Sequence, residues 1–65
     1  MGNSYAVFER IYWLIQKEEF FLKDYMDKFD ISRRTAFRDL TYLKEYQNID
    51  VESYEGKYYL HKLSN

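Results

Sequence analysis

The sequence predicts a single small domain, mainly α with a small β component, in which three helices precede a C-terminal β-hairpin. Two observations predict this class. Apolar residues recur every three or four positions over residues 5–46, which is the period of a helix with one buried face. After that, apolar and polar residues alternate on both sides of Tyr54-Glu55-Gly56, as in two strands joined by a tight turn.

The first helix is predicted at about residues 5–16. Asn3 and Ser4 precede it and are favourable N-cap residues. The apolar positions that define its buried stripe are Val7, Phe8, Ile11, Leu14 and Ile15.

Three aromatic side chains of this helix are left over once the buried stripe is formed. On a helical wheel Trp13 lies almost opposite Ile11, with Tyr5 and Tyr12 beside it. Trp and Tyr are enriched at protein interfaces. The three rings therefore indicate one of two arrangements. Either they form an interface, which a homodimer would use, or the chain ends or the last strand cover them.

The second helix is predicted at about residues 22–29, after an extended Phe20-Phe21 pair. Asp30 follows at a turn, and Asp tolerates the left-handed conformation in which helices often end. Ser32 is a favourable N-cap for a third helix at about 33–46. The buried stripe of that helix is Ala36, Leu40 and Leu43.

The C-terminal hairpin is predicted from Ile49–Ser53 and Lys57–Leu63, because Val, Ile and Tyr favour strands. Gly56 supplies the positive φ angle that a tight hairpin turn requires. Alternation places Ile49 and Val51 on one face.

The third helix carries an unusual charge pattern. Residues 1–30 contain four basic and six acidic side chains, whereas residues 31–65 contain six basic and five acidic ones. Stepping about 100° per residue from Ala36 places four cations on the outer face of the helix. With their polar and aromatic neighbours, the outer-face residues are Arg33, Arg34, Phe37, Arg38, Thr41 and Lys44. Asp39 lies nearer the core, where it can orient a neighbouring Arg or Tyr.

A helix of this kind fits the major groove of DNA, and its first turns usually reach the base edges. Arginine suits this task because its planar guanidinium binds guanine or phosphate through two hydrogen bonds. A short helix, a turn, a basic helix and a hairpin also follow the order of a winged helix-turn-helix, with the helix-turn-helix at about 22–46 and the wing at about 49–63.

The stretches KFDISRRTAFRDLTYLKEY and IDVESYEGKYYL resemble the N-terminal DNA-binding domain of DeoR-type or WYL-type regulators. That pattern runs approximately F-x-V-S-x-R-T-I-x-R-D-L-x-x-L, followed by a wing ending in G-x-Y-x-L. The resemblance implies that Ser32 caps the recognition helix. The residues of that helix which it places against DNA are Arg33, Arg34, Phe37, Arg38 and Thr41. It also implies that Lys57 and Tyr58 lie in the wing, beside the minor groove or the phosphate backbone.

This sequence departs from the pattern at four places. Ala36 replaces the usual Ile or Val, so a neighbouring side chain has to fill the space. Asp30 replaces the turn glycine, Phe37 stands where Tyr or Arg often contacts DNA, and Tyr25-Met26 replaces a smaller Leu-Ala pair. Phe37 is expected either to touch a thymine methyl group or to cover the core.

Composition excludes several other classes. The chain has no Cys, one His and no glycine-rich phosphate loop, so we expect no metal, no cofactor and no enzymatic activity. No apolar run is long enough for a membrane helix, and the first residues, MGNSYAVFER, lack the basic-then-apolar pattern of a secretion signal. We therefore expect a soluble cytoplasmic protein that does not associate with membranes.

Two functions remain open from the sequence. The first is a sequence-specific module that binds double-stranded DNA in transcriptional control, with helix 33–46 in the major groove. The second is a winged-helix module that binds protein without strong DNA affinity. The net charge of −1 and the acidic hairpin tip, with Glu52 and Glu55 beside Lys57, favour the second.

Overall fold

The computed structural model describes residues 4–62, and these form three helices and a three-stranded antiparallel sheet. The elements in chain order are α1 (Ser4–Lys17), β1 (Glu19–Phe21), α2 (Leu22–Phe29), α3 (Arg33–Tyr46), β2 (Ile49–Tyr54) and β3 (Lys57–Lys62). This arrangement is compatible with the predicted winged helix. No helix among the described residues is long and apolar enough to cross a lipid bilayer.

The helices form where the sequence predicts them. Ser4 is the first residue of α1, so it does not precede the helix, and Asn3 lies outside the described residues. The bounds of α2 and α3 agree with the prediction, and Ser32 caps α3 by accepting a hydrogen bond from the Thr35 amide at 3.2 Å.

The sheet contains one strand more than the predicted hairpin. Its order is β1-β3-β2, and Phe20 of β1 lies opposite Tyr58 of β3. The predicted extended Phe20-Phe21 pair is therefore an edge strand of the sheet. β2 reaches one residue further than predicted, to Tyr54, and Leu63 lies outside the described residues.

A two-residue turn joins β2 and β3, because Tyr54 pairs directly with Lys57. Glu55 and Gly56 both have positive φ angles, 51° and 83°. Positive φ at both central residues is the type I′ geometry, whose twist matches that of the strands.

The core lies between the helices and one face of the sheet. Every element contributes to it, and its buried members are Ile11, Leu14, Phe20, Leu22, Tyr25, Ala36, Leu40, Leu43, Ile49 and Leu60. The predicted inner stripe of α3 is confirmed, since Ala36, Leu40 and Leu43 are all buried. Packing that stripe inward leaves the opposite face of α3 on the surface.

Candidate nucleic-acid interface

The turn between α2 and α3 determines how the outer face of α3 is presented. Asp30 adopts the left-handed conformation, φ 53° and ψ 52°, and its amide donates to the carbonyl of Met26. The Ile31 amide donates to the same carbonyl at 3.1 Å. Ser32 then caps α3, so only three residues separate α2 from α3. This local geometry is the one expected for two helices joined by a tight turn.

The structure brings the predicted outer-face residues of α3 together on one exposed surface. Arg33, Arg34, Phe37, Arg38, Thr41 and Lys44 are all exposed. Within residues 4–62, no carboxylate lies within ion-pairing distance of any of the four cations. Their charges are therefore available to a ligand.

The buried Asp39 connects α3 to the other two helices. Its carboxylate accepts two hydrogen bonds from the Arg10 guanidinium of α1, at 2.7 Å from Nε and 3.2 Å from Nη2. It also accepts a hydrogen bond from the buried Tyr25 hydroxyl of α2. The prediction that Asp39 orients an Arg or a Tyr is thus confirmed, and the side chain does both.

These contacts change how the partners of Asp39 titrate. The hydrogen bond from Arg10 to Asp39 raises the pKa of Arg10 above its usual value. Burial raises the pKa of Tyr25 far above its usual value, and the hydrogen bond to Asp39 raises it further. Both groups therefore keep their protons over the whole physiological range, and the connection between the helices persists.

The Phe37 ring of α3 contacts β3 of the sheet. Its ring meets Tyr58 edge-on, with centroids 6.4 Å apart. Tyr58 in turn stacks on the buried Phe20 at 5.7 Å. Tyr58, which the resemblance places beside DNA, is half-buried and links the core to the outer face of α3.

Lys57 lies on the opposite face of the sheet from Tyr58, because neighbouring residues of a strand point in opposite directions. Its ammonium binds the Glu19 carboxylate at 2.7 Å and lies over the rings of Phe21 and Tyr59. The hydrogen bond to Glu19 raises the pKa of Lys57. A contact of this lysine with DNA would have to replace these interactions.

The predicted orientation of Trp13 is wrong. Trp13 is half-buried: it stacks on Tyr25 at 5.7 Å and meets Phe29 edge-on, because α2 packs across this flank of α1. Phe8, predicted in the core, lies on the other flank and is 59% exposed. The exposed aromatic stripe of α1 therefore consists of Tyr5, Phe8 and Tyr12, of which Tyr5 is 86% and Tyr12 66% exposed.

Sequence reasoning also missed two tyrosines at the C-terminal end of the candidate interface. Tyr42 and Tyr46 lie one and two turns beyond Arg38, and their ring centroids are 5.0 Å apart. Together with Arg34 and Arg38 they line an open depression along α3. The four-residue spacing from Arg38 was the signal that could have indicated them.

The acidic and histidine side chains of the described part of the chain are dispersed. No group of three or more His, Asp or Glu side chains there could hold a metal ion. His61, the single histidine, pairs with Glu52 across the hairpin at 2.9 Å. Comparisons with protein-family models, with curated proteins and with solved structures found no match for this chain.

Proposed function

We propose that this chain is a winged helix-turn-helix domain that binds double-stranded DNA in transcriptional control, with α3 in the major groove. The observation that carries the proposal is the outer face of α3, where Arg33, Arg34, Arg38 and Lys44 are exposed without carboxylate partners within residues 4–62. Unpaired cations on one helix face are suited to phosphates and to guanine edges.

The way in which α3 is held gives further support. Recognition of base edges requires a helix that is rigidly oriented, since contacts made by a mobile helix lose specificity. Asp39 ties α3 to α1 and α2 through the Arg10 and Tyr25 side chains. The only acidic side chain in the first two turns of α3 is thereby neutralised and removed from the outer face.

The experiment is selection of bound DNA from a random pool, followed by affinity measurements on the selected site. The double substitution Arg34→Glu and Arg38→Glu removes two predicted contacts, each worth about 1–3 kcal/mol. We therefore expect affinity to fall at least about thirtyfold. Both side chains are exposed, so the thermal unfolding midpoint should not change.

A matched control makes the same change of charge on other elements. Lys17→Glu with Lys62→Glu alters two exposed cations of α1 and β3. Affinity of this control should fall only slightly, as expected from net charge alone. Equal losses for the two double variants would contradict a specific role of α3.

A second candidate function is a domain that binds protein, and the exposed stripe of Tyr5, Phe8 and Tyr12 favours it. The three rings follow one another at helical spacing, and such rings are enriched at interfaces. A homodimer through this stripe would be compatible with DNA binding, because two recognition helices could then contact half-sites about one helical turn apart. Sedimentation over a range of concentrations tests the interface. If the native protein dimerises through this stripe, the Tyr12→Lys variant should sediment as a monomer.

A further inference from the structure

Phe37 interrupts the cationic surface with an apolar ring. It lies among Arg33, Arg34 and Arg38 on the outer face of α3, and it is 39% exposed. A single exposed apolar side chain is ordinary on protein surfaces. The position of this one is unusual, because it is centred on the surface that would face DNA.

The ring of Phe37 contacts the sheet, and the Phe37 backbone is bonded within α3. Tyr58 contacts it edge-on, and Tyr58 is itself stacked on buried Phe20, so three rings in succession lead from the core to the surface. One turn further along α3, the Thr41 hydroxyl donates a hydrogen bond to the Phe37 carbonyl at 3.0 Å. Phe37 therefore presents an apolar surface that Tyr58 supports from the sheet.

The base edges in the major groove offer only one apolar group. Guanine, adenine and cytosine present hydrogen-bond donors and acceptors there, and thymine alone adds a methyl group. A phenyl ring has no side-chain donor or acceptor, so it gains most by burying that methyl group. The arginines beside it suit guanine O6 and N7.

We infer that Phe37 is a specificity-determining residue that contacts the 5-methyl group of a thymine next to guanine in the bound site. This inference rests on the proposed function and names the base that the same surface recognises. The expected site contains thymine adjacent to at least one guanine, with the methyl group packed against the Phe37 ring and Arg34 or Arg38 on the guanine.

The test removes only the methyl group. In the selected DNA site, each thymine is replaced in turn by deoxyuridine, which keeps the base pair and its hydrogen bonds. For the native protein, replacing the thymine that contacts Phe37 should lower affinity about fourfold, as expected for one buried methyl group. Placing 5-methylcytosine opposite guanine at that position should bind better than unmethylated cytosine by a similar factor.

Two variants separate the methyl contact from general effects on the domain. Phe37→Ala should bind the thymine and deoxyuridine sites equally, because the apolar partner is gone. Phe37→Leu retains an apolar side chain of similar reach and should keep part of the discrimination. Thermal unfolding of both variants establishes whether they are folded at the temperature of the binding measurements.

The outcomes distinguish the two proposals. If the native protein binds a selected site but tolerates deoxyuridine at every position, Phe37 only covers the core and this inference is overturned, while the proposed function stands. Discrimination that persists in Phe37→Ala would also overturn it, since another residue must then contact the methyl group. If no DNA site is selected at all, the proposed function and this inference fail together.

Discussion

Asp39 binds Arg10 of α1 and Tyr25 of α2, so one carboxylate connects all three helices. Only 5% of Asp39 is exposed. Substituting Asp39→Ala leaves a largely buried guanidinium and a buried hydroxyl without their acceptor. Breaking a buried pair in this way costs about 3–5 kcal/mol, which approaches the whole stability expected for a domain of this size, at about 0.1 kcal/mol per residue.

We therefore expect Asp39→Ala to lose about 3–5 kcal/mol of its unfolding free energy and to remain only marginally stable at 25 °C, as judged by circular dichroism and urea titration. The control is Glu45→Ala, which removes an exposed carboxylate from the same helix. That variant should change the free energy of unfolding by at most about 0.5 kcal/mol. If Asp39→Ala lost no more free energy of unfolding than Glu45→Ala, core packing alone would fix the three helices.

Tyr25 makes the stability sensitive to alkaline pH. Burial raises its pKa in the folded state above the value near 10 that it has in the unfolded chain. Below pH 10 the hydroxyl is protonated in both states, so its contribution to stability is complete. Above pH 10 the unfolded state releases the proton first, and the free energy of unfolding falls by up to about 1.4 kcal/mol per pH unit.

Urea titrations between about pH 8 and pH 11 measure this loss. Phe cannot ionise, so Tyr25→Phe should lose stability less steeply than the native protein over the same range. The two proteins differ only at position 25, so the difference between the two slopes isolates Tyr25. Equal slopes would mean that Tyr25 ionises as readily in the folded protein as in the unfolded one.

Among the elements, the β2–β3 turn offers the clearest backbone test. Gly56 has a φ angle of 83°, and nothing lies within 4 Å of where a Cβ would be. Gly56→Ala therefore introduces backbone strain without a steric clash, at a cost of about 1–2 kcal/mol. Glu55 also has a positive φ angle, and Asn tolerates this conformation better than Glu.

We expect opposite signs for the two turn variants in urea unfolding: Gly56→Ala destabilises the domain and Glu55→Asn stabilises it. Glu55→Asn also removes a carboxylate from the hairpin tip. If Gly56→Ala were neutral, the turn would have to relax to a different geometry in the variant, and chemical shifts of residues 54–57 would reveal this.

The elements that the sequence predicted correctly have strong local signals. Ser32 marks the start of α3, Asp30 the end of α2 and Gly56 the hairpin turn, and each acts through its own backbone conformation or nearest neighbours. The extended conformation of Phe20-Phe21 was predicted, but no local signal indicates that this segment pairs as a strand, β1. It is three residues long and exists as a strand because Phe20 pairs with Tyr58, far along the chain.

The error on α1 has a similar origin. Phe8 and Trp13 lie on opposite flanks of the buried stripe, and a helical wheel does not say which flank the next helix covers. In the structure, Phe29 and Tyr25 of α2 pack against Trp13, so the flank with Trp13 is covered and the flank with Phe8 is exposed. The outer face of α3 was predictable because it depends only on which residues of that helix point inward.

For the whole molecule, the net charge of −1 does not predict the salt dependence of DNA affinity. Salt dependence follows the number of phosphates that cations neutralise, with a slope of about −0.9 per phosphate in a plot of log affinity against log salt concentration. Four cations on α3 set an upper limit of about −3.6 for each protomer. Arginines that bind bases instead of phosphates reduce the slope further.

We therefore expect a slope between about −2 and −3.6 per protomer on the selected site, measured by fluorescence anisotropy from about 50 to 300 mM salt. If Lys44, near the C-terminal end of α3, contacts phosphate, Lys44→Gln should make the slope shallower by about 1. The matched variant Lys62→Gln, on β3, should leave it unchanged. A slope near zero, or equal effects of the two lysines, would mean that the outer face of α3 does not meet the phosphates, and would favour the domain that binds protein.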